Sequence, residues 1–470
     1  MVPGQMNQGG KIHSPLMVIL TRKRILHIIY TLSFYMKNKP SIRLYIFFTL
    51  LLAISFKTSL CNDIDKRYTI TDYGAVADGK TLNSKTIQAA IDACAKKGGT
   101  VVIPKGEFLS GSIFLKPGVN LEVQEGGVLK GSADINDYPK NITRIEGHFE
   151  PWPAALLNAD KADHLRITGP GTLDGSGEPF WKEFYRRRDS NSKTTNLNVE
   201  RPRLTFIQNS SDVIISGINY KNSGFWNLHM YRCQNVTVEN CRFTAPDGPK
   251  PNHAPSSDGI DVDCCQDITI SKCFFSVGDD CIALKGTKGP FAMDDKDSPA
   301  VERIHILDCV FEAGGGIVTC GSEATIVRDV NVERCITRKP TVLRLKLRPD
   351  TPQQYENISL KDITLEGGGV IFNIAPWSQY FDLKGQLPPK SVVRNISITN
   401  VKGTGNSSLG KIIGNPDTEF GDIILKNVDV QLKTATLELG NVKTLKFENV
   451  VVNGTAMATP AATVTPAKAN

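Results

Sequence analysis

The chain has 470 residues, a formal net charge of +7 and 40% hydrophobic side chains, enough for one large core or two or three ordinary domains. The positive charge is local: eight basic residues and no acidic one fall within residues 1–61, so the remainder carries −1. That near-neutral body gives no electrostatic argument for nucleic acid as a partner.

Residues 1–61 read as an N-terminal extension followed by an export signal. Lys37, Lys39 and Arg43 form a positive start, Leu44 to Phe56 an apolar stretch, and Ser59 and Cys61 are small residues where a peptidase could cut. Met36 is then the expected true start. The apolar run is short for a membrane span. Cys61 could instead carry a lipid, although Leu60 suits that poorly. The expected location is periplasmic or extracellular, with cell-surface attachment as the lipid alternative.

Residues 84–97 have a helical pattern, with Ile87, Ala90, Ile91 and Cys94 on one face and Gly98-Gly99 as the stop. Such a helix would cover the open end of a sheet structure. Beyond residue 98 no helical pattern of useful length is expected. Residues 182–200 read as a loop whose Arg186, Arg187 and Arg188 could bind an anionic ligand or simply be solvated.

From residue 213 one short pattern returns: VIISGI (213–218), VTVENC (236–241), ITISKC (268–273), IHILDC (304–309) and VNVERC (330–335). It continues as ISLKDI (358–363), ISITNV (396–401), IILKNV (423–428) and LKFENV (445–450). Each copy alternates as a strand does and is rich in β-branched residues. Asn or Asp usually precedes the first apolar position. The spacing suits one coil of a solenoid per copy. Hairpin signals are scarce, which disfavours a sandwich. The expected fold is all-β, a parallel β-helix spanning 62–454 with an N-terminal capping helix. Residues 455–470, rich in Ala, Thr and Pro, read as a disordered tail.

Of eleven cysteines, Cys241, Cys273, Cys309 and Cys335 share one repeat position. Stacked coils would place them about 4.8 Å apart inside the core. Packing is the expected role, since no closely spaced pairs with His partners suggest zinc.

Carboxylates concentrate where the repeat is interrupted. Ser256-Ser257-Asp258-Gly259-Ile260-Asp261 precedes one strand, and Gly278-Asp279-Asp280 precedes the next. Coil stacking would bring Asp258 near Asp279 and Asp280. Later coils carry Gly314-Gly315-Gly316 and Arg344-Leu345-Lys346. Crowded carboxylates raise one another's pKa, so one can stay protonated as an acid while another acts as a base. Glycoside hydrolysis needs such a pair. Arg344 and Lys346 face the same way on a strand and could bind a substrate carboxylate.

These segments resemble the polygalacturonase family, glycoside hydrolase family 28. Ser256-Ser257-Asp258 is similar to its Asn-Thr-Asp, Gly278-Asp279-Asp280 to its Gly-Asp-Asp, and Arg344-Leu345-Lys346 to its Arg-Ile-Lys. The runs 72–79, 169–181 and 225–229 are similar too, so the resemblance covers about residues 68 to 450. It implies a right-handed β-helix and hydrolysis of galacturonic-acid-containing bonds with inversion. Asp279 would be the general acid, Asp258 and Asp280 would activate water, and Arg344 and Lys346 would bind the uronate. No metal or other cofactor is implied. The implied partner is a pectic polysaccharide, with no nucleic acid and no integral membrane span, and the chain is expected to be a monomer. The family histidine of Gly-His-Gly is absent, with Gly315 in its place, which also fits a rhamnogalacturonan hydrolase. His229 and His253, on other segments, are further candidates for substrate binding. A calcium-dependent lyase and a non-catalytic carbohydrate-binding solenoid are the other readings.

Overall fold

The repeat sets the architecture. In the computed structural model, which describes residues 66–379, 382–442 and 444–461, the first apolar residues of the nine copies pair in unbroken parallel register. They run from Val213 through Val236, Ile268, Ile304, Val330, Ile358, Ile396 and Ile423 to Leu445. The alternate residues Ile215, Val238, Ile270, Ile306, Val332 and Leu360 are buried with them. The result is a right-handed parallel β-helix. Among the described residues its strands form one 23-stranded and one 11-stranded sheet.

The Asn and Asp residues before the copies serve the corners. Asp212, Asn235, Asp267, Asp329, Asn357 and Asn395 all have φ between 54° and 59°. Asn and Asp enter this left-handed region at less cost than other L-residues. Their side chains also bond from coil to coil: Asn357 donates to Asp329 and Asn395 to Asn357, each at 2.9 Å.

Inside, Cys241, Cys273, Cys309 and Cys335 are buried and unbridged, as the packing role requires. A second ladder was not read from the sequence. Tyr220, Phe243, Phe275 and Phe311 stack nearly parallel, with ring centroids 4.7, 5.1 and 5.0 Å apart. The register of their short strands fixes them one above another.

Helix α1 (Ser84–Cys94) buries Ile87, Ala90, Ile91 and Cys94 against the first coil. It is three residues shorter than expected; residues 95–97 form a turn, and the Gly98 N–H donates to the Cys94 carbonyl at 2.8 Å. An antiparallel hairpin follows, β1 (Lys140–Ile145) and β2 (His148–Pro153). Helix α2 (Glu178–Ser190) corrects the loop expected at 182–200 and the absence of helix beyond 98. Its signal was present. Phe180, Trp181, Phe184 and Tyr185 lie at helical spacing and are buried, and Pro179 stands in the first turn, where its missing N–H costs nothing.

At the far end, Thr455–Ala456 pairs antiparallel with the last long strand, and the Met457 N–H donates to the Val450 carbonyl at 2.8 Å. The tail expected from 455 therefore starts as paired backbone, because the final coil offers an unpaired strand end. The leader expected over 1–61 and residues 462–470 lie outside the described residues.

Candidate active site

The 11-stranded sheet carries the site on its outer face. The strands concerned are β3 (Leu228–Tyr231), β4 (Ile260–Asp263), β5 (Ile282–Lys285), β6 (Gly316–Cys320) and β7 (Thr341–Leu347). Asp258 and Asp280 each precede their strand by two residues. Since Ile260 pairs with Ile282, the two stack on successive coils. The Gly259 N–H donates to the Asp280 carbonyl at 2.9 Å. One oxygen from each of Asp258, Asp279 and Asp280 lies within 4.8 Å of the others.

The three carboxyls are in different states. Asp280 is fully buried. Its Oδ1 accepts from Arg344 Nη1 at 2.9 Å and from Thr319 Oγ1 at 2.8 Å, and its Oδ2 from Lys346 Nζ at 2.6 Å. Burial alone would raise its pKa, but Lys346 and Arg344 outweigh it and hold the carboxyl below the usual carboxylate range. Asp258 is pushed up to about 7 by burial and by the Asp279 charge, against the pull of Lys285. Asp279 is half-buried and so is the most accessible of the three. With both Asp280 oxygens engaged, the donor set suits the handling of a proton better than the binding of a cation.

Lys285 sits beneath this group. Its Nζ is 3.5 Å from Asp258, 3.5 Å from Asp261 and 3.7 Å from Glu323. Burial would lower its pKa, but these acids outweigh burial and keep it charged. Lys346 lies over the Trp377 ring at 4.7 Å and Lys285 over the Trp226 ring at 4.8 Å. A cavity of about 280 Å³ opens between these groups, with Asp258, Asp279, Lys285, Lys346, Trp226 and Trp377 in its wall. Carboxylate chemistry flanked by aromatic faces suits a sugar ring.

The β1–β2 hairpin lies across the sheet, with Arg144 bonded to Asp263 at 3.0 Å and to Thr287 at 3.1 Å. Trp152 donates to the Arg201 carbonyl at 3.1 Å, and Phe149 meets Tyr231 edge-on. Glu146, at the hairpin tip, lines the cavity. The tip packs so closely that a Cβ on Gly147 would meet the Gly286 carbonyl at 2.8 Å.

Of the residues expected from the sequence, Asp258, Asp279, Asp280, Arg344 and Lys346 come together. Arg344 and Lys346 do so partly by serving Asp280, although 22% of the Arg344 side chain remains exposed. His253 stands on the cavity wall, 3.8 Å from Asp247. His229 does not belong to the cavity, which corrects its expected role in substrate binding. Strand alternation put it on the correct face, but the hairpin covers it. It is fully buried between Arg203 at 2.8 Å and Asp263 at 3.3 Å. Lys285, Thr319 and Trp377 were missed. Lys285 was legible from strand alternation, two residues after Ala283. Thr319 and Trp377 carry no local signal.

The glycosyl hydrolases family 28 model matches residues 95–456. A probable polygalacturonase of Vitis vinifera is 26% identical over 77% of this chain and 74% of its own length. An exopolygalacturonase of Zea mays is 28% identical over 72% of this chain and 77% of its own. The solved structure of an exopolygalacturonase from Thermotoga maritima superimposes with a TM-score of 0.70 at 26% identity, covering 84% of this chain and 94% of that one. The chain belongs to glycosyl hydrolase family 28 and is a glycoside hydrolase.

Proposed function

We propose that the enzyme removes units from the end of a galacturonic-acid polymer by hydrolysis with inversion. The observation that carries the reaction is the set of three clustered carboxyls with Arg344 and Lys346 against one of them. Asp258, pushed up to about 7 by burial and the neighbouring Asp279 charge, holds a proton near neutrality, and Asp279, the more accessible, passes a proton to the leaving oxygen. Asp280, held ionised, orients and activates water together with Asp258.

The spacing alone argues the other way. Carboxyls about 5–5.5 Å apart characterise retaining enzymes, and inverting pairs stand about 6.5–9.5 Å apart. Retention needs a free, ionised nucleophile. Asp280 is ionised but has both oxygens engaged, and Asp258 is buried and half-protonated near pH 7. These restraints favour inversion. Attack from the chain end rests on the hairpin laid over the sheet, whose Glu146 lines the cavity, and it agrees with the exo-acting relatives. We also assign residues 1–61 to an export leader removed before a hydrolase domain of 62–454.

The test is product analysis on polygalacturonan and rhamnogalacturonan side by side, with the first-formed anomer read by NMR. Short saturated galacturonate of inverted configuration is the expected product. Product of retained configuration overturns the water mechanism. Early release of long fragments overturns attack from the end, and release only from rhamnogalacturonan overturns the substrate.

A further inference from the structure

The run Arg186-Arg187-Arg188 on α2 divides into two parts. Arg186 Nε and Arg187 Nε both bond Glu183, at 2.7 Å each. Arg188 has no ion-pair partner among the described residues and lines the cavity that holds Asp258 and Asp279. Lys250, also without an ion pair, lines the same wall. Their cationic heads are not loose. Arg188 lies over the Phe184 ring at 5.6 Å and Lys250 over the adjoining Tyr185 ring at 5.2 Å. Those rings are buried and meet edge-on with centroids 5.4 Å apart. Aromatic faces hold a cation in place and leave it charged. Burial raises the Tyr185 pKa, the Arg201 and Arg188 charges oppose it, and the Asp279 charge adds to it, so Tyr185 is within electrostatic reach of both Arg188 and Asp279. Apart from Asp279, the acids on the cavity wall face other cations: Glu323 and Asp258 face Lys285 at 3.7 and 3.5 Å, and Glu146 faces Lys288 at 3.9 Å.

We infer that Arg188 and Lys250 form a second carboxylate subsite, binding the uronate next to the one held by Arg344 and Lys346. This rests on the hydrolase reading above and narrows its substrate. Two anion-binding places in one cavity match a chain of consecutive uronates. In a backbone that alternates uronate with neutral sugar, the neighbour at the second place would carry no charge. Methyl esterification at that neighbour would remove the attraction in the same way. His253, on the same wall, is placed to donate to a sugar hydroxyl.

The experiment compares the enzyme with Arg188→Gln/Lys250→Gln on de-esterified and on highly methyl-esterified polygalacturonan. Both side chains are exposed, so unchanged melting verifies the fold. The expected result is a KM about tenfold higher on the de-esterified polymer, more than the change in kcat, with the preference over the esterified polymer largely lost. Arg188→Lys/Lys250→Arg should recover most of both. An unaltered KM and preference overturn the subsite. Cleavage of neither polymer by the unmodified enzyme would instead refute the hydrolase reading. Trigalacturonate binding by calorimetry then decides the subsite: weaker binding on Arg188→Gln/Lys250→Gln sustains it, and equal binding overturns it.

Discussion

The Arg344 guanidinium fills the space that a side chain on Gly315 would need. A Cβ built on Gly315 would lie 2.4 Å from Arg344 Nη1 and 2.4 Å from Asp280 Oδ1. The absence of a side chain at 315 lets the guanidinium reach the carboxylate, and a histidine here would have to displace one of the two. Gly315→Ala should push Arg344 off Asp280 and lower kcat by roughly 10–100-fold, since an ångström of displacement costs about that much. Steady-state kinetics with a parallel melting curve check this, and the loss should exceed anything explained by unfolding.

Asp279→Asn should lower kcat by about 10²–10⁴-fold, the usual worth of a positioned acid. The group is half-buried, and its carboxylate accepts one hydrogen bond among the described residues, from the Asp280 N–H at 3.0 Å, so melting should hardly move. Undiminished turnover would refute its role as acid.

The pH profile follows from the two perturbed carboxyls. Asp258 loses its proton as pH rises through about 7, so kcat/KM should fall above neutrality. Asp280 is held low chiefly by Lys346 and Arg344 against burial, so the acid limb should lie below the ordinary carboxylate range. Lys346→Met should move that limb to higher pH. A pH–rate series on both proteins tests the assignment.

His229 is a structural residue. Burial lowers its pKa to about 4, against the opposing pull of Asp263. A lowered folded pKa means that the unfolded chain takes the proton first. Stability is therefore full above about 6.5 and is lost as pH falls from there toward 4. His229→Phe should flatten this dependence in denaturant titrations and change KM little. A large KM effect would restore the histidine to the substrate site.

Arg144 ties the hairpin to the sheet through a pair whose side chains are each 1% exposed. Arg144→Met strands Asp263 as a buried charge and should cost about 3–5 kcal/mol. If the hairpin is the wall that enforces attack from the end, the variant should also release longer fragments from polygalacturonan early in the digest.

Periodic residues carried most of the fold in plain sight. Nine copies of one strand pattern, seven of them preceded by Asn or Asp, determine a solenoid because each position meets its own equivalent one coil away. The same rule made Asp258, Asp279, Asp280, Arg344 and Lys346 legible as a group, since register alone brings them together. Tertiary structure decided what lies across the coils. The sequence from Lys140 to Pro153 does not show that it folds over the sheet, helps to bury His229 and brings Glu146 to the cavity wall. Nor does the run Arg186-Arg187-Arg188 show that two arginines are spent on Glu183 and one faces the cavity. Contacts between repeating elements are fixed by local spacing, whereas a hairpin or helix laid onto the solenoid is placed by side chains distant in sequence, such as Asp263 for Arg144.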